Sequence, residues 1–451
     1  MNSGAQVLPA PSAGPAALKP IQMAWLAGAI FVVSAGYGAL LPLLPEWLTS
    51  IMQGASATEV ARHVGFVSGV YAVGLLVGAP LWGLLADRLG GGRILLVGLI
   101  GYASSLLLLL VPGFTGLWGV YLLRGAAGLF VAAVVPVVAA LVAEYTPEHQ
   151  RARRFAWIGA MSLLGFLFGP GLSAIAAWLD SAIGSGALFS TRPAQVVLGL
   201  SAVLGGVMML GLAWALPPSR APGTGKKLDP GSAASDRPIA LWGLIGVVMF
   251  VLAAFELGIV LQGRQSPDDF SRQASIMFAE CSLVMLGVNA LLFLTSLLEK
   301  ISARVLIGTG LILAMIGLVI LAVHRSDPWM YLGVSLTAAG TGLVLPVVAY
   351  IAAGAARLKL GAIMGGLAAA SGFGQTIGSA AGGWLFGMLA QQAFFWLCLP
   401  LLFMLSLVLV RPGWWSVMSA ARPMESVRSS GERSRGLAAD PGSAPNEGTR
   451  A

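Results

Sequence analysis

Apolar positions along this chain come in long unbroken blocks rather than in the alternating patterns of amphipathic elements. Twelve blocks stand out, at 22–44, 64–85, 94–112, 117–142, 155–178, 194–216, 239–261, 274–297, 304–323, 329–354, 362–389 and 393–410. A helix needs about 20 apolar residues to cross the hydrocarbon core of a bilayer, so the pattern predicts twelve membrane-spanning helices. The polar stretch 217–238, rich in Pro, Gly and Ser, predicts a flexible cytoplasmic linker that divides them six and six. An N-terminal bundle is expected over 21–216 and a C-terminal bundle over 239–411. Residues 1–20 and 412–451 have a similar composition and are expected to be disordered tails. The first block is too long for a signal-peptide core and lacks a convincing cleavage site, so it is expected to stay as the first helix.

Composition narrows the class. The chain has 451 residues, 57% hydrophobic and 10% charged, where a soluble domain carries about 25% charged residues. Mean hydropathy is +0.86. So few polar residues cannot cover a water-facing surface, which excludes an ordinary soluble enzyme, a nucleic-acid binder and a disordered protein. The surplus of positive charge, +8, fits basic cytoplasmic loops. With both termini inside, the inner connections between blocks hold 13 basic residues. The outer ones hold five: Arg62, Arg192, Arg264, Arg272 and Arg325. Arg124 falls within the fourth block. Cys281 and Cys398 lie in apolar blocks, which argues against a disulfide framework. His63, His149 and His324 fall at block edges or in loops, which argues against a buried metal cluster. The 60 glycines suit closely packed helices. The excess of Arg over Lys and the high Ala and Gly content suggest a GC-rich bacterial genome, and hence an inner membrane.

The two halves look like copies. PVVA occurs at 136–139 and at 346–349, Asp87-Arg88 corresponds to Glu299-Lys300, and Gly165-x3-Gly169 corresponds to Gly374-x3-Gly378. The three offsets agree within a few residues. Two similar six-helix bundles with a site between them near mid-membrane is a transporter plan.

The connection after the second block reads Gly83-Leu-Leu-Ala-Asp87-Arg88-Leu-Gly90-Gly-Gly-Arg93. It resembles the signature loop of the major facilitator superfamily, G-x-L-a-D-r-x-G-r-k. Gly91 and Gly92 stand where that pattern has basic residues, and Arg93 arrives one residue late. The resemblance implies that Asp87 helps to latch the cytoplasmic side, against the start of the eleventh helix or against Arg151, Arg153 or Arg154. The plainer alternative is a tight turn whose charges only fix topology.

Arg124 and Gly128 resemble an R-x-x-x-G of the family's proton-coupled members, which implies a part in proton coupling or in recognising substrate charge. An arginine within a span costs at least about 2.5 kcal/mol, so it needs a partner or a wet cavity. A structural arginine bonded to backbone carbonyls is the alternative. Gly165, Gly169, Pro170 and Gly171 resemble the antiporter signature of the drug-exporting branch, although Leu172-Ser173-Ala174 follow in place of its second glycine pair. Generic helix packing would also use these glycines. Gly36-Tyr37-Gly38 with Pro42 and Pro45 resembles the end of that branch's first helix, which makes Tyr37 a candidate cavity residue. Glu256 and Glu280 lie within apolar blocks, where ionisable groups are functional candidates by default; the alternative is pairing with Arg264 or Arg272. Asn289 and Gln375 could line a cavity or bridge helices.

The expected fold is therefore an all-α membrane protein of twelve transmembrane helices in two pseudo-symmetric six-helix bundles. The expected function is secondary active transport by alternating access: proton-coupled efflux of a small organic molecule, either drug-like or a secreted metabolite such as a siderophore. A proton-coupled importer is the alternative, and a non-transporting sensor or an intramembrane enzyme is more remote. No G-x-S-x-G, H-E-x-x-H, paired-Asp or Walker A motif occurs in the chain. The proton gradient is the expected energy source, with no cofactor. The expected partners are the substrate, protons and the lipid bilayer, with no nucleic acid and a single chain acting as a monomer.

Overall fold

A computed structural model describes residues 18–146, 154, 157–169, 171–172, 193–216, 237–262, 270–295, 297–355 and 360–410. The expected tails and most of the linker lie outside the described residues, as do Arg151, Arg153, Pro170 and the side chain of Asp87. Each of the twelve apolar blocks contains a helix among the described residues. The helices are α1 (Pro20–Leu40), α2 (Leu44–Ile51), α3 (Ala57–Leu89), α4 (Gly91–Leu108), α5 (Leu117–Val131) and α6 (Val135–Glu144). Next come α7 (Trp157–Gly169) and α8 (Pro193–Ala215). The second half holds α9 (Arg237–Gln262), α10 (Phe270–Leu294), α11 (Leu297–Lys300), α12 (Ala303–Val323), α13 (Asp327–Ala355), α14 (Leu360–Leu389) and α15 (Ala393–Val410). Among the described residues ten helical stretches are long and apolar enough to cross a membrane; the longest, Gly365–Val410, contains most of α14 and all of α15.

Three boundaries differ from the hydropathy pattern. The first span does not stop near residue 44. After a 3-10 turn at Leu41–Leu43, where Pro42 supplies no N–H, it runs on as α2 to Ile51. The second span begins seven residues early, at Ala57. Ser56 caps it and Glu59 reaches back to the Ser56 amide at 2.8 Å. His63 therefore sits on a helix and not in a loop, and its Nδ1 lies 2.7 Å from the Tyr121 hydroxyl. The fourth span breaks between α5 and α6, just ahead of Pro136. There the Ala133 amide bonds to Phe130, which leaves the Leu129 carbonyl to accept the Trp82 indole N–H at 2.7 Å.

The helices pair in the same way in each half. α1 and α4 both pack on α8, as α9 and α12 pack on α15, and α3 meets α5 as α10 meets α13. The antiparallel course places the start of α1 with the ends of α3, α8 and α15 on one face, called here the terminal face. On it the Gln22 amide donates to Ala215 O at 2.9 Å, and Arg304 donates to the carbonyls of Val408 and Leu409. On the other face Arg325 and Gln391 join the α12–α13 and α14–α15 turns at 2.5 Å.

Between the halves the main seam joins α3 to α14. It starts at the far face, where the Thr58 hydroxyl donates to Gly387 O at 3.0 Å. A Cβ added at Gly65 would lie 2.7 Å from the Gly383 Cα, so the two backbones touch. The seam continues through Gly69 against Thr376 and ends near Leu76 against Gly372. Beyond it, Gly83 and Gly365 have open space around them. Among the described residues the halves thus meet closely from the far face to the level of Leu76.

Candidate functional site

Arg124, on α5, is 2% exposed and lies among tyrosines. Its guanidinium carbon is 4.5 Å from the ring centre of Tyr71 on α3 and 6.0 Å from that of Tyr37 on α1. Both fall within cation–π range. The Tyr37 and Tyr71 rings are 5.0 Å apart, and Phe166 on α7 closes edge-on against Tyr37 at 5.4 Å. Tyr102 on α4, also buried, comes within electrostatic range of Arg124. The guanidinium Nε and Nη2 are buried with no hydrogen-bond partner among the described residues. Expected carbonyl bonds to those two atoms are therefore not made, and ring faces surround the charge instead.

The second half brings one acid near this group. Glu256, on α9, is partly buried and within electrostatic range of Tyr37 across the interface. Cys281 on α10 is buried within range of both Glu256 and Glu280. Glu280 accepts a hydrogen bond from the Ser335 hydroxyl of α13 at 2.5 Å, while its Oε2 is buried without a partner among the described residues. One half thus presents a cation and the other two carboxyl groups, with Tyr37 between Arg124 and Glu256.

Other sequence candidates fall elsewhere. Gly165 and Gly169 carry α7 across α1. A Cβ at Gly165 would meet Ser34 Cβ at 2.7 Å, one at Gly169 would meet Gly38 C at 2.7 Å, and the Ser34 and Ser162 hydroxyls bridge the crossing at 3.0 Å. Among the described residues nothing lies within 4 Å of a Cβ added at Gly171. Asn289 donates to Met285 O at 2.8 Å in its own helix. Gln375 is half-buried on α14. In the signature loop Gly90 adopts φ 91°, which favours glycine, and Gly91 packs on Leu141 and Val137. Arg88 and Arg93 are exposed; Arg154, on the far side of the α6 connection, is half-buried with Nη1 lacking a partner among the described residues. Sequence reading missed Tyr71, Tyr102 and Ser335. The tyrosines had a signal, since the chain has only 7 of them and these two fall within the two blocks that precede the Arg124 block.

The model of one family, the Major Facilitator Superfamily, matches residues 26–292. The chain belongs to that superfamily. Members of that superfamily are transporters and not enzymes, in agreement with this chain's multi-pass membrane fold. It is 35% identical over 135 residues to the class B tetracycline resistance protein of Escherichia coli, over 30% of this chain and 32% of that one. It is 31% identical over 144 residues to the quinolone resistance protein NorA of Staphylococcus aureus, over 32% of this chain and 35% of that one. The chain thus aligns with about a third of the length of these curated relatives. Among solved structures, the human organic anion transporter MFSD10 (TETRAN) superposes with TM-score 0.66 at 19% identity, over 86% of this chain and all of that one. A peptide transporter POT in complex with sulfate gives 0.69 at 13% identity, over 90% and 98%. These likenesses establish the superfamily fold.

Proposed function

We propose that this chain is a proton-coupled exporter of small organic molecules working by alternating access. The observation that carries the reading is a buried cation, Arg124, in one half and a carboxyl group, Glu256, in the other, both within electrostatic range of Tyr37. A carboxyl group that loads and unloads a proton beside a buried cation changes the charge of the interface, and that biases which end opens. The partial alignments to tetracycline and quinolone resistance proteins favour export, as does the Gly165–Gly171 pattern.

The halves 21–216 and 239–411 act as the two rocking units, joined by the 217–238 linker, and one chain is sufficient. Both termini face the cytoplasm of a bacterial inner membrane, so the far face points outward. Asp87 latches the terminal face when that end closes. Asp87→Asn is expected to slow cycling while leaving the folded protein in the membrane; normal transport rates in that variant would remove the latch.

The test of the function is a paired profile of small molecules inside and outside cells with and without the protein. A compound that builds up inside and is lost outside when the protein is absent supports export. A compound lost from inside and left in the medium overturns export and favours import. Tetracycline and a quinolone belong in the same profile as added probes.

A further inference from the structure

We infer that the buried edge of Arg124 is a carboxylate-binding site, so that the substrates are aromatic molecules bearing a carboxylate. This rests on the transport reading above. The Nε–H and Nη2–H groups lie on one edge of the guanidinium and run parallel, which matches the two oxygens of a carboxylate. Those are the two atoms left buried and unpartnered. The Tyr71 ring centre lies 4.5 Å from the guanidinium carbon, and that edge stays without an acceptor among the described residues. A buried charge whose donors find no acceptor is expensive, and an incoming anion removes that expense. Tyr37, stacked on Tyr71 and facing Phe166, supplies ring surface on which an aromatic body stacks as Tyr37 moves aside. Glu256, beyond Tyr37 on the opposite half, is placed to meet a basic group at the far end of such a molecule.

The test is calorimetric titration of the full chain in lipid nanodiscs with 2-naphthoate and with its neutral isostere 2-naphthamide. The acid is expected to bind about tenfold tighter than the amide. Arg124→Gln should bind both alike. Arg124→Lys keeps the charge but not the paired edge and should show a reduced preference, which guards against misfolding of the glutamine variant. Glu256→Gln should keep the preference. Equal binding of acid and amide by the wild-type chain overturns the site, as does a preference that survives in Arg124→Gln. A preference that emerges only in Glu256→Gln means that Glu256 itself occupies the edge, which also overturns it. The cell profile assumes no substrate, so an exported compound without an acidic group overturns the carboxylate site and leaves the transport reading standing.

Discussion

The two halves share a scaffold and differ in chemistry. In the first, α7 crosses α1 on Gly165 and Gly169; in the second, α14 crosses α9 on Gly374 and Gly378, where a Cβ at Gly378 would meet Phe250 C at 2.8 Å. The crossing is backbone against backbone in both. The side chains facing the interface are not copies. The first half holds Arg124 among Tyr37, Tyr71 and Tyr102, and the second holds Glu256, Cys281 and Glu280. Even the repeated PVVA has two outcomes: Pro136 opens the new helix α6 after a break, whereas Pro346 lies inside the continuous α13. Duplication preserved the contacts in which backbones touch, because no side chain can be added there. It left the interface positions free to acquire opposite charges, and opposite charges give a two-state device something to switch.

The seam between the halves is the most exposed to disruption. At Gly383 a Cβ would fall 2.7 Å from Ala61 O, with backbone on both sides and nothing flexible to yield. Gly383→Val should disfavour the state shut at the far face and cut transport by roughly a hundredfold, as measured by flux into proteoliposomes. Transport at the wild-type rate would mean that the α3–α14 contact is not part of the cycle.

The acids come next in expected effect. If the second half supplies the proton site, Glu256→Gln or Glu280→Gln should flatten the dependence of flux on pH. The first half's Tyr37→Phe, which retains the ring, should keep that dependence. Wild-type pH dependence in both glutamine variants would strip the carboxyl groups of the coupling role.

The smallest effect tests the symmetry itself. Gly169→Val and Gly378→Val place the same methyl groups at equivalent crossings and should each destabilise the fold by about 1–3 kcal/mol. Thermal unfolding in detergent reads both; strongly unequal losses would show that the two crossings are not equivalent.

Much of this architecture could be read from the chain. Blocks of apolar residues locate twelve helices because lipid demands about 20 such residues per crossing. The repeat offsets anticipated which glycines would take equivalent places. Boundaries were less legible where polar residues extend a helix: Ser56 and Glu59 form a capping box that hydropathy ignores. Arg124, Glu256 and Glu280 were visible as charges in apolar surroundings. Their assembly was not, because it depends on which faces of α3, α4 and α9 turn inward, and helices apolar all round carry no amphipathic stripe to show it. Tyr71 and Tyr102 went unmarked for that reason, and Asn289 was marked although it serves its own helix.

The central claim is that the ends of the α3–α14 seam move in opposition under proton control. It is tested most directly by spin-label distances in the full chain in nanodiscs, with the native cysteines replaced by serine. One label pair sits at exposed Ala57 and Met388 at the far face, and a second at exposed Leu84 and Gly365 towards the terminal face. A change of pH should lengthen one distance and shorten the other. Two distances that stay fixed, or that change in the same direction, would contradict the account.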